Sequence, residues 1–481
     1  MAYSSLSTRQ WRWLKECLED NKNTLYGKKY HFATISSMQM YQKTAPLTRY
    51  EDMKQYVDLI SEGKEDILFA GSAVAFEMTS GSTGGSKLIP YTHKSFRDFQ
   101  RAILPYLEQT LRLYHIDSKN SYWSISPVSR TIKKTKSGVV IGVSDSDYLG
   151  MEQKSVSIVP YWVADLKDIK NWKLATLYWL VSAKNLEFIS IWSPTFLLVL
   201  LESMSEYRAE LIDLFQSGGE ISGHKVLSNP NALKNFLNYL EKKDTKALWQ
   251  NLKLISLWQD GSSAPYAKKL QRLFPAVHFQ SKGLLGTEGI VSIPDEQDLP
   301  ILSADSGFYE FVNRDEEVLF SHQLKDGEEY EVAMTTNGGL YRYCTGDIVL
   351  CEGYRDEKPI LRFSHRKGIV SDLVGEKLTE GFVANILDDS SGFVMLVPHA
   401  DALHYCLVIE KNSDISKETI ENRLLKNPQY SYARELGQLG DLEIIEMQNP
   451  IKVYMDKMLS DGRRIGDIKI PLLCQNDRWL R

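Results

Sequence analysis

The chain has no cysteine pair at metal-ligand spacing. Its five cysteines, Cys17, Cys344, Cys351, Cys406 and Cys474, are scattered with no C-x-x-C among them. They read as reduced thiols, neither a disulfide framework nor a zinc site. Long apolar runs are missing too: Leu174–Ala183 and Phe196–Leu201 are short and separated by Lys184, Glu187 and Pro194, so neither spans a bilayer. The first residues, MAYSSLSTRQWRW, lack the apolar core of a signal peptide. Nor does one sign of charge prevail, with Lys+Arg 57 against Asp+Glu 62 and a net charge of −5, which gives no support for a nucleic-acid or polybasic membrane partner. Internal repeats and low-complexity tracts are absent. These absences lead us to expect a cytoplasmic protein, monomeric or weakly oligomeric, that works on small molecules.

What is present sets the frame. With 481 residues and 43% hydrophobic content, the chain can bury a large core and calls for two or more domains. Trp11, Leu14 and Leu18 recur at helical spacing, and Asp98–Leu113 and Asn171–Ser182 read as further helices. Phe188–Trp192, Leu252–Trp258, Phe308–Val312, Phe393–Val397 and Tyr405–Ile409 are rich in β-branched or aromatic residues and read as strands. The alternation predicts an α/β fold: a large N-terminal domain of helix-covered sheets over 1–364 and a small α+β domain over 365–481, with the break near FSHRKG.

Glu77 to Pro90 reads EMTSGSTGGSKLIP. Gly81, Gly84 and Gly85 remove side chains that would hold backbone N–H groups off a polyanion. Thr79, Ser80, Ser82, Thr83 and Ser86 add hydroxyls, and Lys87 adds a point charge. The loop suits phosphate. It is not a Walker A loop, because Ser86 stands where the last glycine belongs, Leu88 where the magnesium-binding hydroxyl belongs, and Pro90 bars a continuing helix. G-x-G-x-x-G and G-x-S-x-G are absent as well. Composition alone also fits a serine/glycine linker, but strand-like residues flank the stretch on both sides. What remains is the TSG-[ST]-TG-x-x-K loop typical of acyl-adenylate-forming enzymes.

Three more stretches bear on chemistry. In Gly283–Gly289 (GLLGTEG), the Thr287 hydroxyl and Glu288 carboxylate suit a phosphate and a hard Mg²⁺ ion, although a surface turn is the plainer reading of this motif by itself. In Gly339–Asp347 (GLYRYCTGD), Asp347 follows a glycine in an expected turn, where a carboxylate can accept both ribose hydroxyls or simply end the turn. In Gly462–Pro471 (GRRIGDIKIP), Lys469 lies among Ile468, Ile470 and Pro471 on a glycine-hinged loop, able to be delivered as a desolvated cation or to remain solvated.

In order and spacing these four stretches resemble the acyl acid–amido synthetases of the Gretchen Hagen family, plant enzymes that join jasmonate, auxin or benzoates to amino acids. That family is a branch of the acyl-adenylate-forming superfamily. The resemblance runs nearly end to end. LYGKKYHF at 25–32 and APLTRYED at 45–52 look like the family's amino-terminal block, and Phe76–Pro90, Leu284–Gly289 and Tyr341–Asp347 like its three ATP motifs. VSDLVGEKLTE at 370–380 is similar to the block that opens its small domain. The chain departs from the plant pattern at Gly286-Thr287-Glu288, at Gly375-Glu376-Lys377 and at Asp467, and is shorter, which suggests a bacterial-type representative.

The resemblance implies ATP and Mg²⁺, a carboxylic acid and an amino acid. The acid attacks the α-phosphate to give an acyl-adenylate and pyrophosphate; the amine then attacks the activated carbonyl and releases AMP. Thr79, Ser80, Gly81, Ser82, Thr83, Gly84 and Lys87 would hold the β,γ-phosphates, Thr287 the α-phosphate, Glu288 the metal and Asp347 the ribose, with Lys377 beside the nucleotide. Lys469 would bridge ribose oxygen and carboxylate in the transition state, carried by a small domain turning about Ser364–Lys367. By position along the family pattern, Arg101, Leu104, Pro105, Trp192, Phe196 and Gly286 line the acyl pocket, with Arg101 or Arg130 pairing the donor carboxylate or merely sitting on the surface. His365, Arg366, Lys367 and Lys377 supply charge for either of two acceptors. An acyl-CoA or carrier-protein ligase, using a thiol in place of the amine, is the alternative; a nucleotide-binding protein without catalysis is disfavoured by the joint presence of Lys87, Glu288, Asp347 and Lys469.

Overall fold

A computed structural model describes residues 5–80, 86–123, 133–142, 157–461, 463, 465–477, 479 and 480. The expected phosphate-loop residues Gly81, Ser82, Thr83 and Gly84, and also Arg130, lie outside them, and of Thr79 and Ser80 only the strand backbone is described. The chain gathers into two compact units. One comprises 1–112, 130–152 and 282–367, the other 113–129, 153–281 and 368–481. The junction at Lys367 and Gly368 falls three residues past the break expected at 364/365, while residues 153–281 cluster with the C-terminal segment.

In the first unit local chemistry starts the helices. Ser5 caps Leu6–Asn21, its hydroxyl accepting from Thr8 N–H at 3.3 Å. Trp13, Leu14, Cys17 and Leu18 form its buried stripe; Trp13 takes the core position expected of Trp11, which is only half-buried. The helix His93–Leu113 begins five residues before the expected Asp98, because Thr92 and Ser95 cap one another: Thr92 N–H donates to Ser95 Oγ at 2.7 Å and Ser95 N–H to Thr92 Oγ1 at 3.1 Å. It runs through Pro105, which lies on the exposed side while Ala102, Ile103, Tyr106, Leu107 and Thr110 are buried.

The centre of this unit is a seven-stranded antiparallel sheet, in spatial order Ser292–Pro294, Pro300–Leu302, Lys358–Arg366, Tyr343–Arg355, Glu329–Thr335, Phe308–Val312 and Val318–Phe320. Tyr343–Arg355 is therefore the middle strand. Just before it, Arg342 is buried against Glu310, donating Nε to Oε2 at 2.8 Å and Nη2 to Oε1 at 3.0 Å, while its Nη1 donates to the carbonyls of Gln42 and Ala45. Such a pair holds its place only because each donor finds an acceptor. Gly339 (φ 87°) precedes it where a Cβ would lie 2.6 Å from Leu68 Cβ, so no other residue fits there without moving Leu68. Ala75–Ser80 and Ser86–Tyr91 form an antiparallel hairpin with Thr79 opposite Lys87.

The second unit holds a four-stranded parallel sheet in the order His278–Ser281, Leu254–Leu257, Phe188–Ser190, Ser121–Trp123. Helices Ile169–Ser182, Pro194–Glu206 and Ala264–Leu273 intervene in sequence, as the βα alternation predicts. Asp168 caps the first of these, accepting from Asn171 N–H at 2.8 Å. The C-terminal segment adds a three-stranded sheet: Val394–His399 antiparallel to His404–Glu410, and that strand parallel to Glu443–Met447. Strand alternation divides its faces. Met395, Val397 and Val408 join the core of Trp172, Ile189 and Phe196, whereas Leu396, Leu407 and Ile409 face Leu378 and Leu424. Among the described residues no helix is long and apolar enough to cross a membrane.

Candidate active site

Four of the residues singled out in the sequence meet in the first unit. Lys87 leaves the hairpin with Nζ 3.4 Å from Tyr343 Oη and 5.7 Å from the Tyr50 ring centroid. Tyr343 is fully buried; burial first, and then the nearby Glu288 charge, hold its phenol far above the usual range. Glu288 also acts on Arg366, whose guanidinium is held protonated chiefly by Asp347. Arg366 Nε donates to Asp347 Oδ1 at 2.9 Å. Lys87, Tyr343, Glu288, Arg366 and Asp347 thus form one group of alternating charge.

The loops that present them are tied together. Tyr91, at the end of the hairpin, donates its hydroxyl to the Thr287 carbonyl, and Thr287 Oγ1 donates to Glu288 Oε2 at 3.0 Å. Gly283 opens this loop at φ 75°, where a Cβ would lie 2.3 Å from the Ser292 carbonyl oxygen. Gly286 is exposed beside Glu288. A half-buried carboxylate with a hydroxyl beside it is a set of hard oxygen donors, which fits Mg²⁺.

Asp347 lies in a strand, where a turn was expected. Gly346 takes φ 81°, Asp347 N–H donates to Thr345 Oγ1 at 3.0 Å, and the pairing with Lys358–Arg366 slips between Ile348 and Val349. A bulge lets an interior strand position turn its carboxylate out of the regular alternation. The register of that pairing sets Arg366 opposite Asp347.

Next to Glu288 opens a small pocket, continuous with solvent and lined by Tyr91, Asp98, Phe99, Glu288, Ser306 and Asn337 among others. Asp98 is 5% exposed, and its Oδ2 accepts from Asn337 Nδ2 at 2.6 Å. Burial raises its carboxyl to about 6 despite Asn337 and Arg101. Arg101 reaches Asp98 Oδ1 at only 3.4 Å and its side chain is 61% exposed.

The remaining candidates belong to the second unit. Phe196 is buried edge-on against Trp172 in the hydrophobic core, and Trp192 is half-buried with its ring 5.5 Å from that of Trp258. Lys377 is exposed at a left-handed position (φ 47°), in a turn organised by buried Glu376, which accepts from the N–H groups of Leu373 and Val374. Lys469 is exposed between buried Ile468 and Ile470, with Nζ 3.9 Å from the centroid of the Trp258 ring. Tyr343, Asp98 and the pairing of Arg366 with Asp347 went unseen in the sequence. Arg366 had stood there only as charge for the acceptor, and the regular strand pattern of PILRFSHR was the one available hint that it faces the motif strand.

Comparison with known proteins agrees with this architecture. The GH3 family N-terminal domain matches residues 3–279 and the GH3 family central domain residues 300–366. The jasmonoyl–L-amino acid synthetase JAR4 of Nicotiana attenuata is 20% identical over 95% of this chain and 89% of its own length. The 4-substituted benzoates–glutamate ligase GH3.12 of Arabidopsis thaliana is 22% identical over 99% of this chain and 94% of its own. Among solved structures, the GH3.15 acyl acid amido synthetase superposes with a TM-score of 0.83 at 21% identity, covering 99% of this chain and 93% of that one. A 2-hydroxyisobutyryl-CoA ligase in its postadenylation state gives 0.59 at 12% identity, covering 98% and 89%. The expected α/β fold of adenylate-forming enzymes is the fold found.

Proposed function

The chain belongs to the GH3 family, and on that premise we propose that it is an ATP-dependent acyl acid–amido synthetase. The observation that carries the reading is the convergence of Lys87, Glu288, Asp347 and Arg366 around Tyr343, from four separate stretches of sequence. A carboxylate oxygen attacks the α-phosphorus of ATP, the bond to the bridging oxygen breaks, and pyrophosphate leaves an acyl-adenylate. An amino acid's neutral amine then attacks the acyl carbonyl, an amide forms, and AMP and a proton depart. Little covalent work falls to the protein in the first step, so positioning and charge neutralisation dominate.

The residue roles are those that the family resemblance implies, and the chemistry of the groups suits them. Asp347 accepts the ribose hydroxyls, and Arg366 keeps its carboxylate oriented. Lys87 and residues 81–85 take the β,γ-phosphates, and the Thr287 hydroxyl the α-phosphate. Glu288 and Thr287 would hold Mg²⁺, which offsets phosphate charge when bound. Gly286 and the cavity beside Asp98 and Phe99 receive the acyl group. Lys469, carried by residues 365–481, supplies the cation that the adenylation transition state requires, with Lys377 a second cation on that segment.

Acid-dependent exchange of pyrophosphate into ATP tests the first step, with a panel of carboxylic acids. AMP release from the cognate acid with twenty amino acids, against CoA, tests the second. We expect exchange with at least one acid and AMP release with at least one amino acid but not CoA. Turnover with CoA alone would move the protein to the thioester-forming enzymes; no exchange with any acid would overturn the adenylation reading.

A further inference from the structure

The scattered cysteines gave no sign of a metal site, but strand register brings three potential ligand atoms together. His404 and Cys406 are two residues apart on one strand and therefore point to the same face. Cys406 stands in register with Glu443 on the parallel neighbour, and His404 with His399 on the antiparallel one. His404 Nε2 lies 2.9 Å from Glu443 Oε2, Cys406 Sγ 3.4 Å from His404 Nε2, and Cys406 Sγ 3.9 Å from Glu443 Oε2. Metal–ligand bonds of about 2.0–2.3 Å at tetrahedral angles separate neighbouring ligand atoms by about 3.4–3.6 Å. The three separations in this sheet, 2.9, 3.4 and 3.9 Å, centre on that size.

The surroundings of His404 point the same way. Its Nδ1 faces the Ala402 carbonyl at 3.4 Å, and its ring stacks on His399 with centroids 5.0 Å apart and planes 15° from parallel. With a metal on Nε2, the proton would sit on Nδ1 and could be donated to that carbonyl, the second partner that ligating histidines use. Cys406 is buried.

We propose that His404, Cys406 and Glu443 bind a divalent transition-metal ion of the zinc class. Nitrogen, sulfur and oxygen donors together suit Zn²⁺ or Co²⁺ rather than Mg²⁺. Glu443, 58% exposed, leaves the fourth position open to water. The ion fastens the start of the His404–Glu410 strand to the edge strand Glu443–Met447, and is separate from the chemistry assigned to ATP.

Co²⁺ is the probe, because a thiolate ligand produces a near-ultraviolet charge-transfer band that oxygen and nitrogen ligands do not. The full-length chain, reduced and stripped of metal, is titrated with Co²⁺ and then with Zn²⁺. The band should saturate at one equivalent and disappear as Zn²⁺ displaces Co²⁺. It should be lost in Cys406→Ser, and Glu443→Gln should weaken Co²⁺ binding about tenfold or more. Glu443 is exposed, so its variant should fold even where Cys406→Ser does not. No band at saturating Co²⁺ would overturn the site and leave a His404–Glu443 ion pair in its place. A band undiminished in Cys406→Ser, or an affinity unchanged in Glu443→Gln, would overturn it as well.

Discussion

Asp347 and Lys469 both carry charge that the proposed adenylation uses, yet their surroundings differ. Asp347 is fixed in the middle strand of a seven-stranded sheet, aimed by a bulge and held by Arg366, which also feels the charge of Glu288. Lys469 has an exposed side chain on a short irregular segment, between buried Ile468 and Ile470, with its ammonium on the Trp258 face. A group that binds the ground state gains from being held in advance, since less ordering remains to be done when ligand arrives. A group needed for one step of two gains from a weak hold, which lets it leave.

The comparison breaks most visibly at Lys469. Lys469→Ala should slow acid-dependent pyrophosphate exchange by about 10²–10³, the scale for losing one preorganised electrostatic contact. ATP affinity should hardly move, because ground-state binding rests on the first unit. Equal losses in affinity and rate would make Lys469 an anchored group like Asp347 and dissolve the distinction.

Asp347→Ala is the converse experiment. Loss of two hydrogen bonds to a charged acceptor should weaken ATP binding by roughly 2–3 kcal/mol, with incomplete additivity. The variant also leaves Arg366 without its partner, so Asp347→Asn, which keeps one acceptor oxygen, should lose less. An ATP dissociation constant unchanged in a folded Asp347→Ala chain would remove the carboxylate from the nucleotide site.

Asp98 sharpens the anchored side. Its carboxyl is raised by burial from 3.8 to about 6, so the folded chain binds a proton there that the unfolded chain has already released. Stability therefore falls as pH climbs from about 4 to about 6 and is level in this respect above that. The loss is about 3 kcal/mol for a shift of about two units, of which roughly 2 kcal/mol falls between pH 4.5 and pH 8. Asp98→Asn should abolish this slope: in urea unfolding at pH 4.5 and pH 8, the stability difference between the two pH values should differ from the parent's by about that amount. Identical differences in both proteins would mean that Asp98 titrates normally.

The same contrast explains what could be read from the chain beforehand. Thr287, Glu288 and Asp347 stood out because their stretches, in order and spacing, resemble the family's ATP motifs; by local chemistry alone each also fitted a plain turn. The helices at 6–21 and 169–182 were legible from their apolar stripes, although the choice of Trp13 over Trp11 depended on which way the stripe meets the core. Arg366 was hidden because its meaning comes from pairing with a strand that begins some twenty residues earlier, and Tyr343 because a buried tyrosine looks like any other core residue. His404, Cys406 and Glu443 were hidden for the same reason: only a parallel pairing brings Glu443 to the other two. Asp98 was counted as part of a helix and lies on its buried side, where only Asn337, from far along the chain, reveals its setting.

The smallest expected effect tests the weak hold itself. Trp258 offers Lys469 a cation–π contact at 3.9 Å, and its own ring is braced by Trp192. A contact of this kind at an exposed ammonium contributes about 0.5–1 kcal/mol. In Trp258→Leu the apolar bulk beside Trp192 is kept while the ring face is lost. If the ring is where Lys469 waits, freeing it favours the working position, and exchange should rise by about two- to fivefold, the rate equivalent of that energy. The ATP dissociation constant should stay where it was. A fall in exchange rate at constant ATP affinity would reverse the assignment, making the ring part of the working position and Lys469 a group held in place for its step, much as Asp347 is held for binding.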